Sequence, residues 1–171
     1  MTSYVALLRA VNLGPVNKVS KEVLKGSADA LGYARARTYI ASGNLLFDAD
    51  ADASESEVKA ALEAQLTAHV GKSVPVLVRT AAEMAAIRDA NPFPNAPGNR
   101  VVAILLNVAP PADALTHARH VDGEQMALGA REIYVRYTDD GMGQSKLVIP
   151  AAKLGTGRNM NTITKLAELA A

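Results

Sequence analysis

Apolar and polar positions along this chain fall into short blocks whose period switches between about 2 and about 3.6 residues. Tyr4-Val-Ala-Leu-Leu-Arg-Ala-Val11 is mostly apolar and reads as a central strand. The loop Asn12-Leu-Gly-Pro-Val-Asn-Lys18 follows. Ser20 then predicts an N-cap, with Val23 and Leu24 on the buried face of a helix and Leu31-Gly32 as its stop. Arg35–Ala41 and Asn44–Asp48 read as two strands joined tightly at Ser42-Gly43. After the acidic connector Asp48–Asp52, a helix starts at Ser54 or Ser56. Its apolar stripe is Val58, Leu62, Leu66 and Val70, spaced four apart, and Gly71 closes it. Val74–Arg79 is a fourth strand whose early Pro75 fits a strand start.

The predicted order is therefore β-α-β-β-α-β over residues 1–80, the split βαβ or ferredoxin-like arrangement. Right-handed crossovers then place two helices on one face of an antiparallel sheet. Thr80–Ala90 reads as a connecting helix, capped by Thr80 ahead of Glu83. Asn91-Pro-Phe-Pro-Asn-Ala-Pro-Gly98 is the richest breaker stretch and the expected linker. The remainder repeats the first half by element order. It has a strand over Val101–Val108, a short helix over Pro110–Arg119, and a hairpin of Gln125–Leu128 with Glu132–Thr138 around Gly129. A helix over Gln144–Leu154, broken by Pro150, a short extended piece and a closing helix from Thr162 end the chain. The expected fold is α+β: two ferredoxin-like (split βαβ) halves with antiparallel sheets, packed together. Their bounds are residues 1–80 and 101–171, with 81–100 between them. The groove between such halves is the default ligand site.

Composition narrows the function classes. Apolar residues make up 49% and charged residues 20% of 171 positions, as in a globular protein with an ample core. Aromatics are 4% and Trp is absent, which weighs against stacking on single-stranded nucleic acid. The net charge is +1, so general nucleic-acid affinity is not written into the balance. Residues 1–47 carry six basic and two acidic side chains, and residues 48–63 one basic and six acidic. Residues 141–171 carry four basic and one acidic, so both ends of the chain are locally basic. Cysteine is absent, which removes disulfides, thiol nucleophiles and zinc–thiolate sites. The apolar run Tyr4–Leu8 is too short for a signal peptide, so a cytoplasmic location and no membrane partner are expected.

Several stretches taken together resemble a known family. They are Tyr4–Gly14 with Lys18-Val19, Arg37-Thr-Tyr-Ile-Ala-Ser-Gly-Asn-Leu-Leu-Phe47 and Asn91-Pro-Phe-Pro94. Ser145-Lys-Leu147 and Arg158-Asn-Met-Asn-Thr-Ile-Thr-Lys-Leu166 complete them. In this order, over nearly the whole chain, they resemble the bacterial domain-of-unknown-function 1697 family. That resemblance implies a compact α+β protein of two related halves and no established activity. The chain departs from the family pattern at Met160, where Trp is usual, at Gly14-Pro15, where Gly-Gly is usual, and at Ala10, where Gly is usual. Met160 keeps apolar contact without a π face, and Pro15 removes one N–H donor.

The candidate chemistry concentrates in loops. Leu154-Gly-Thr-Gly-Arg-Asn-Met-Asn-Thr-Ile-Thr-Lys165 runs two glycines, an arginine and two asparagines into an amphipathic helix. With Asn161 as N-cap, Arg158, Asn159 and Lys165 would surround free N–H groups suited to a phosphate or carboxylate. The alternative is plain helix capping, with Arg158 in a structural ion pair. Asn12 and Lys18 lie in the first loop, which lacks both the P-loop and G-x-G-x-x-G spacings and excludes a classical nucleotide fold. An ordinary turn is the alternative there. Arg9 and Arg79, in or beside apolar strands, each need either an internal carboxylate or a bound anion. Lys146 would pair ligand charge, and Ser42 and Asn44 complete the candidate contacts.

Other polar features point to no chemistry. Ser42 has no G-x-S-x-G context for a nucleophile. His117 and His120 have no metal-ligand companions at a recognisable spacing, and Asp139-Asp140-Gly-Met-Gly143 is a turn. No metal site is expected, and catalytic residues and cofactors are not specified by the sequence. Lys165 or Lys18 would act as a general acid only with a pKa lowered by burial. The favoured reading is a small anionic, phosphorylated ligand held between the two halves. A nucleic-acid module and a structural or protein-binding role are the alternatives.

Overall fold

The computed structural model describes residues 1–9, 19–40 and 43–171. Asn12, Lys18 and Ser42 lie outside the described residues. The chain forms β1 (Thr2–Leu8), α1 (Lys21–Ala30), β2 (Ala34–Thr38), β3 (Asn44–Ala49), α2 (Glu55–Val70), β4 (Val76–Thr80) and α3 (Ala81–Asp89). There follow β5 (Val101–Leu105), β6 (Gln125–Leu128), β7 (Glu132–Arg136), β8 (Thr156–Asn159) and α4 (Met160–Ala170). Two four-stranded sheets result, ordered β2-β3-β1-β4 and β6-β7-β5-β8, with every neighbouring pair antiparallel. The fold is α+β. Two compact units emerge, Met1–Met84 with Leu166–Ala171, and Ala85–Lys165. The expected linker Asn91–Gly98 falls inside the second unit.

In the first unit, the alternation along the strands sets one face of the sheet against two helices. Tyr4, Ala6, Leu8, Leu45, Phe47, Val76 and Val78 meet Leu24 and Ala28 of α1 and Val58, Leu62 and Leu66 of α2. Tyr4 pairs with Phe47 across the strands, and Phe47 stacks on Tyr33 with ring centroids 4.8 Å apart. The helix ends follow their capping residues. Ser20 Oγ accepts from Val23 N–H, Ser54 Oγ from Glu57 N–H, and Gly71 closes α2 in the left-handed region at φ 80°. Of the two serines expected to start α2, Ser54 is the one used. Thr80 and Glu83 form a reciprocal capping box on α3, with bonds of 2.8 and 3.2 Å.

Strand β2 carries a bulge between Ala34 and Arg37, where Arg35 sits at φ 52°. The bulge turns the Arg35 guanidinium onto Asp48 with two hydrogen bonds. Those bonds hold the Asp48 carboxyl below the usual carboxylate range against the opposing effect of burial. Arg79 is buried at the edge of the same sheet, with its guanidinium donating to Val78 O and lying 4.0 Å from the Glu55 carboxylate. The carboxylate beside it is half-buried rather than internal, at the N-terminal end of α2.

The second unit has the same strand order without α-helical crossovers. Residues Ala114–His117, Met142–Gln144 and Pro150–Ala152 are single 3₁₀ turns. The helices expected over Pro110–Arg119 and Gln144–Leu154 therefore do not form. The Pro110-Pro111 pair takes up the start of one, and Pro150 with β-branched Val148 and Ile149 interrupts the other, so neither stretch offers enough uninterrupted turns to nucleate. Instead Val148 bridges Arg119 through two backbone bonds of 2.8 and 2.9 Å. The core of this face gathers Leu106, Ile133, Val135 and Ile149, with Ile104, Leu115 and Met126 packed against it. The hairpin at Gly129 forms as expected, and the Glu132 carboxylate ties its loop by accepting from Ala130 and Arg131 N–H.

The cores rest on full burial. Leu62 has no exposed surface, so Leu62→Ala should cost about 2–5 kcal/mol through lost burial and a residual cavity. Urea unfolding measures this, and a loss below about 1 kcal/mol would mean that the site repacks.

Candidate functional site

Hairpin β6–β7 opens onto a cleft. Its open end is the register pair Gln125 and Arg136, so the chain enters through residues 120–124 and leaves through 138–146 on neighbouring paths. Both segments turn through the left-handed backbone region, at His120 (φ 58°), Gly123 (φ 86°) and Gly141 (φ 82°). They approach closely at Gly123, where an added Cβ would lie 2.8 Å from the Thr138 methyl. Between them lies a cavity of about 580 Å³. Its titratable lining is His120, Asp122, Glu124, Asp140 and Lys146, with the hydroxyls of Thr138 and Ser145 beside them.

Glu124 is the floor of this cleft. It is 8% exposed, and its carboxylate accepts from Ser145 Oγ at 2.6 Å and from Asp122 N–H at 2.6 Å. The Ser145 hydroxyl, and then the backbone N–H groups of Asp122 and Glu124, hold this carboxyl below its ordinary range. Ser145 Oγ in turn accepts from Leu147 N–H at 3.2 Å, so one hydroxyl links both walls. Lys146 follows Ser145 directly and is exposed. Asp122, Asp140 and Lys146 form no side-chain hydrogen bond or ion pair among the described residues. Among those residues no group of His, Cys, Asp or Glu is arranged to hold a metal ion.

The tail segment is built differently from its sequence expectation. Helix α4 begins at Met160, and its N-cap is Asn159, whose Oδ1 accepts from Thr162 N–H at 2.9 Å. Asn161, expected as the cap, lies inside the first turn, exposed and against Gly98. The displacement has a simple cause: strand β8 continues through Asn159 by pairing with β5, and the helix starts at once. Arg158 is buried on β8 and donates to Thr156 Oγ1 at 2.7 Å and Gly157 O at 2.9 Å. Burial lowers its pKa to about 10, which leaves it charged at neutral pH. Lys165 is exposed on α4.

The other expected contacts lie in the first unit. Arg9 follows β1, half-buried, with its N–H bonded to Pro75 O. Asn44 is fully buried and closes the β2–β3 connection by donating to Tyr39 O at 3.1 Å. Lys146 is thus the one described candidate that lines the cleft.

A family model described as protein of unknown function (DUF1697) matches residues 1–134. The chain belongs to the DUF1697 family. A conserved bacterial protein from Streptococcus pneumoniae has a similar structure, with a TM-score of 0.79, 19% identity and 99% of both chains covered. That likeness concerns the fold alone. No curated protein matches the chain. The first wall of the cleft falls within the family match, and the second, residues 138–146, follows it. Among the described residues no helix is long and apolar enough to cross a membrane.

The wall at His120–Glu124 was invisible to motif reading, because no chemical motif spans it. One signal was available: Asp122-Gly123 and Asp140-Gly141 punctuate both ends of the predicted hairpin.

Two outcomes test these roles. Asn159→Ala should cost about 1 kcal/mol of stability as a lost N-cap, whereas Asn161→Ala should cost under about 0.5 kcal/mol. Thermal unfolding of both variants distinguishes them, and equal losses would reject the assignment of the cap. Because the folded-state pKa of Glu124 is depressed, its contribution is present above the unfolded Glu value of about 4.3 and fades as pH falls through the folded one. The melting-temperature gap between wild type and Glu124→Gln should therefore be widest near neutral pH and close in acid. A gap independent of pH would remove Glu124 from this role.

Proposed function

We propose that this protein binds a small anionic, phosphorylated metabolite in the cleft of its second unit. The observation that carries the reading is Lys146: an exposed ammonium lining a cavity of about 580 Å³, with no ion pair among the described residues. A cavity of this size suits a small metabolite. The one buried carboxylate of the floor, Glu124, bonds a hydroxyl and a backbone N–H and forms no ion pair with Lys146. Thr138, Gln144 and Ser145 add hydrogen-bonding groups around the same space. This placement lies wholly within residues 120–146. Arg158 and Asn159 support it less, since each already serves its own strand or helix end. A polyanionic nucleic-acid strand fits worse, because Asp122 and Asp140 line the same cavity.

A thermal-shift and calorimetric screen of sugar phosphates, nucleotides and inorganic phosphate tests the proposal. A hit should weaken at least about tenfold, about 1.4 kcal/mol, in Lys146→Ala, with the unliganded melting temperature unchanged. A hit bound equally by Lys146→Ala would move the site elsewhere, and no hit at all would reject the reading.

A further inference from the structure

The cleft charges specify more than an anion. Its lining offers one ammonium, Lys146, and two carboxylates, Asp122 and Asp140, none of them in an ion pair among the described residues. Glu124 is hydrogen-bonded by Ser145 and a backbone N–H, neither of which carries charge, so its carboxylate adds a third negative charge at the floor. A ligand with negative charge alone would gain at Lys146 and be repelled by both aspartates. A ligand with positive charge alone would leave Lys146 opposed. Only a molecule carrying both signs meets every charge that the cavity presents, and leaving a ligand-facing charge unmatched on closing the site costs affinity.

We infer that the ligand is a small zwitterion, with its phosphate or carboxylate on Lys146 and a primary ammonium on Asp122 and Asp140. The inference rests on the cleft being the ligand site. An ammonium has three donors and no acceptor, which complements carboxylates that can only accept. The hydroxyls of Thr138 and Ser145 and the amide of Gln144 line the space between the two charged poles. Placement of the aspartates also explains why the cleft lacks the excess positive charge of a simple phosphate site.

Isothermal titration with matched probes tests this. O-phosphoethanolamine and propyl phosphate share the phosphate and chain length but differ in one terminal ammonium; γ-aminobutyrate carries a carboxylate in place of the phosphate. O-phosphoethanolamine or γ-aminobutyrate should bind wild type at least about tenfold more tightly than propyl phosphate. The tighter of the two identifies the anionic group. Asp140→Asn should abolish the preference without weakening propyl phosphate. Propyl phosphate binding as tightly as both amines would overturn the zwitterion and leave the anion reading intact. Absence of binding by all three probes to a correctly folded protein would overturn the zwitterion, and the wider phosphate screen decides the anion reading separately. Loss of the preference in Lys146→Ala but not in Asp140→Asn would also overturn the assignment of the ammonium.

Discussion

The register of one strand governs the second unit. Strand β7 pairs with β6 on one side and β5 on the other, placing Ile133 beside both Leu128 and Ile104. Side chains alternate between faces along a strand, so a slip of one residue would turn Ile133 and Val135 out of their core. It would also move Gln125 away from Arg136, and with them the points at which the two walls of the cleft leave the sheet. The loop at Gly129 helps fix this register. Its carboxylate tie from Glu132 leaves no room for a Cβ at Gly129, which accounts for glycine there.

The two units show how one strand order tolerates different crossovers. In the first, α1 and α2 cover a sheet face with Leu24, Val58, Leu62 and Leu66. In the second, 3₁₀ turns and extended segments bring Leu115, Leu147 and Ile149 to the corresponding task. Short crossovers carry fewer apolar side chains, but they leave irregular chain at the sheet end. Irregular chain is where turns, left-handed residues and polar side chains accumulate, and the cleft occupies that place.

Much of the fold was legible because its signals are local. Ser20, Ser54, Gly71 and the Thr80–Glu83 pair announce helix ends by hydrogen bonds spanning a few residues, and alternation announces the strands. What misled was also local. Gln144–Leu154 contains enough apolar residues for a helical stripe, yet its pairing partner, Arg119, is distant in sequence. Likewise Asn161 has the right residue type for a cap, while the ladder between β8 and β5 passes that role to Asn159. Lys146, which lines the cleft, stands in a family stretch, and Glu124 does not. Nothing in a glutamate before a strand reveals that a serine twenty-one positions later will bond it.

The manner in which Glu124 is held has a consequence for how the cleft responds to its surroundings. A carboxylate satisfied by a hydroxyl and amide dipoles has no counter-charge for dissolved ions to displace. Its two walls should therefore stay joined as ionic strength rises. The exposed charges of Lys146, Asp122 and Asp140 experience the full ionic atmosphere. Salt then screens the charges that the cleft presents while the scaffold that shapes the cleft is spared.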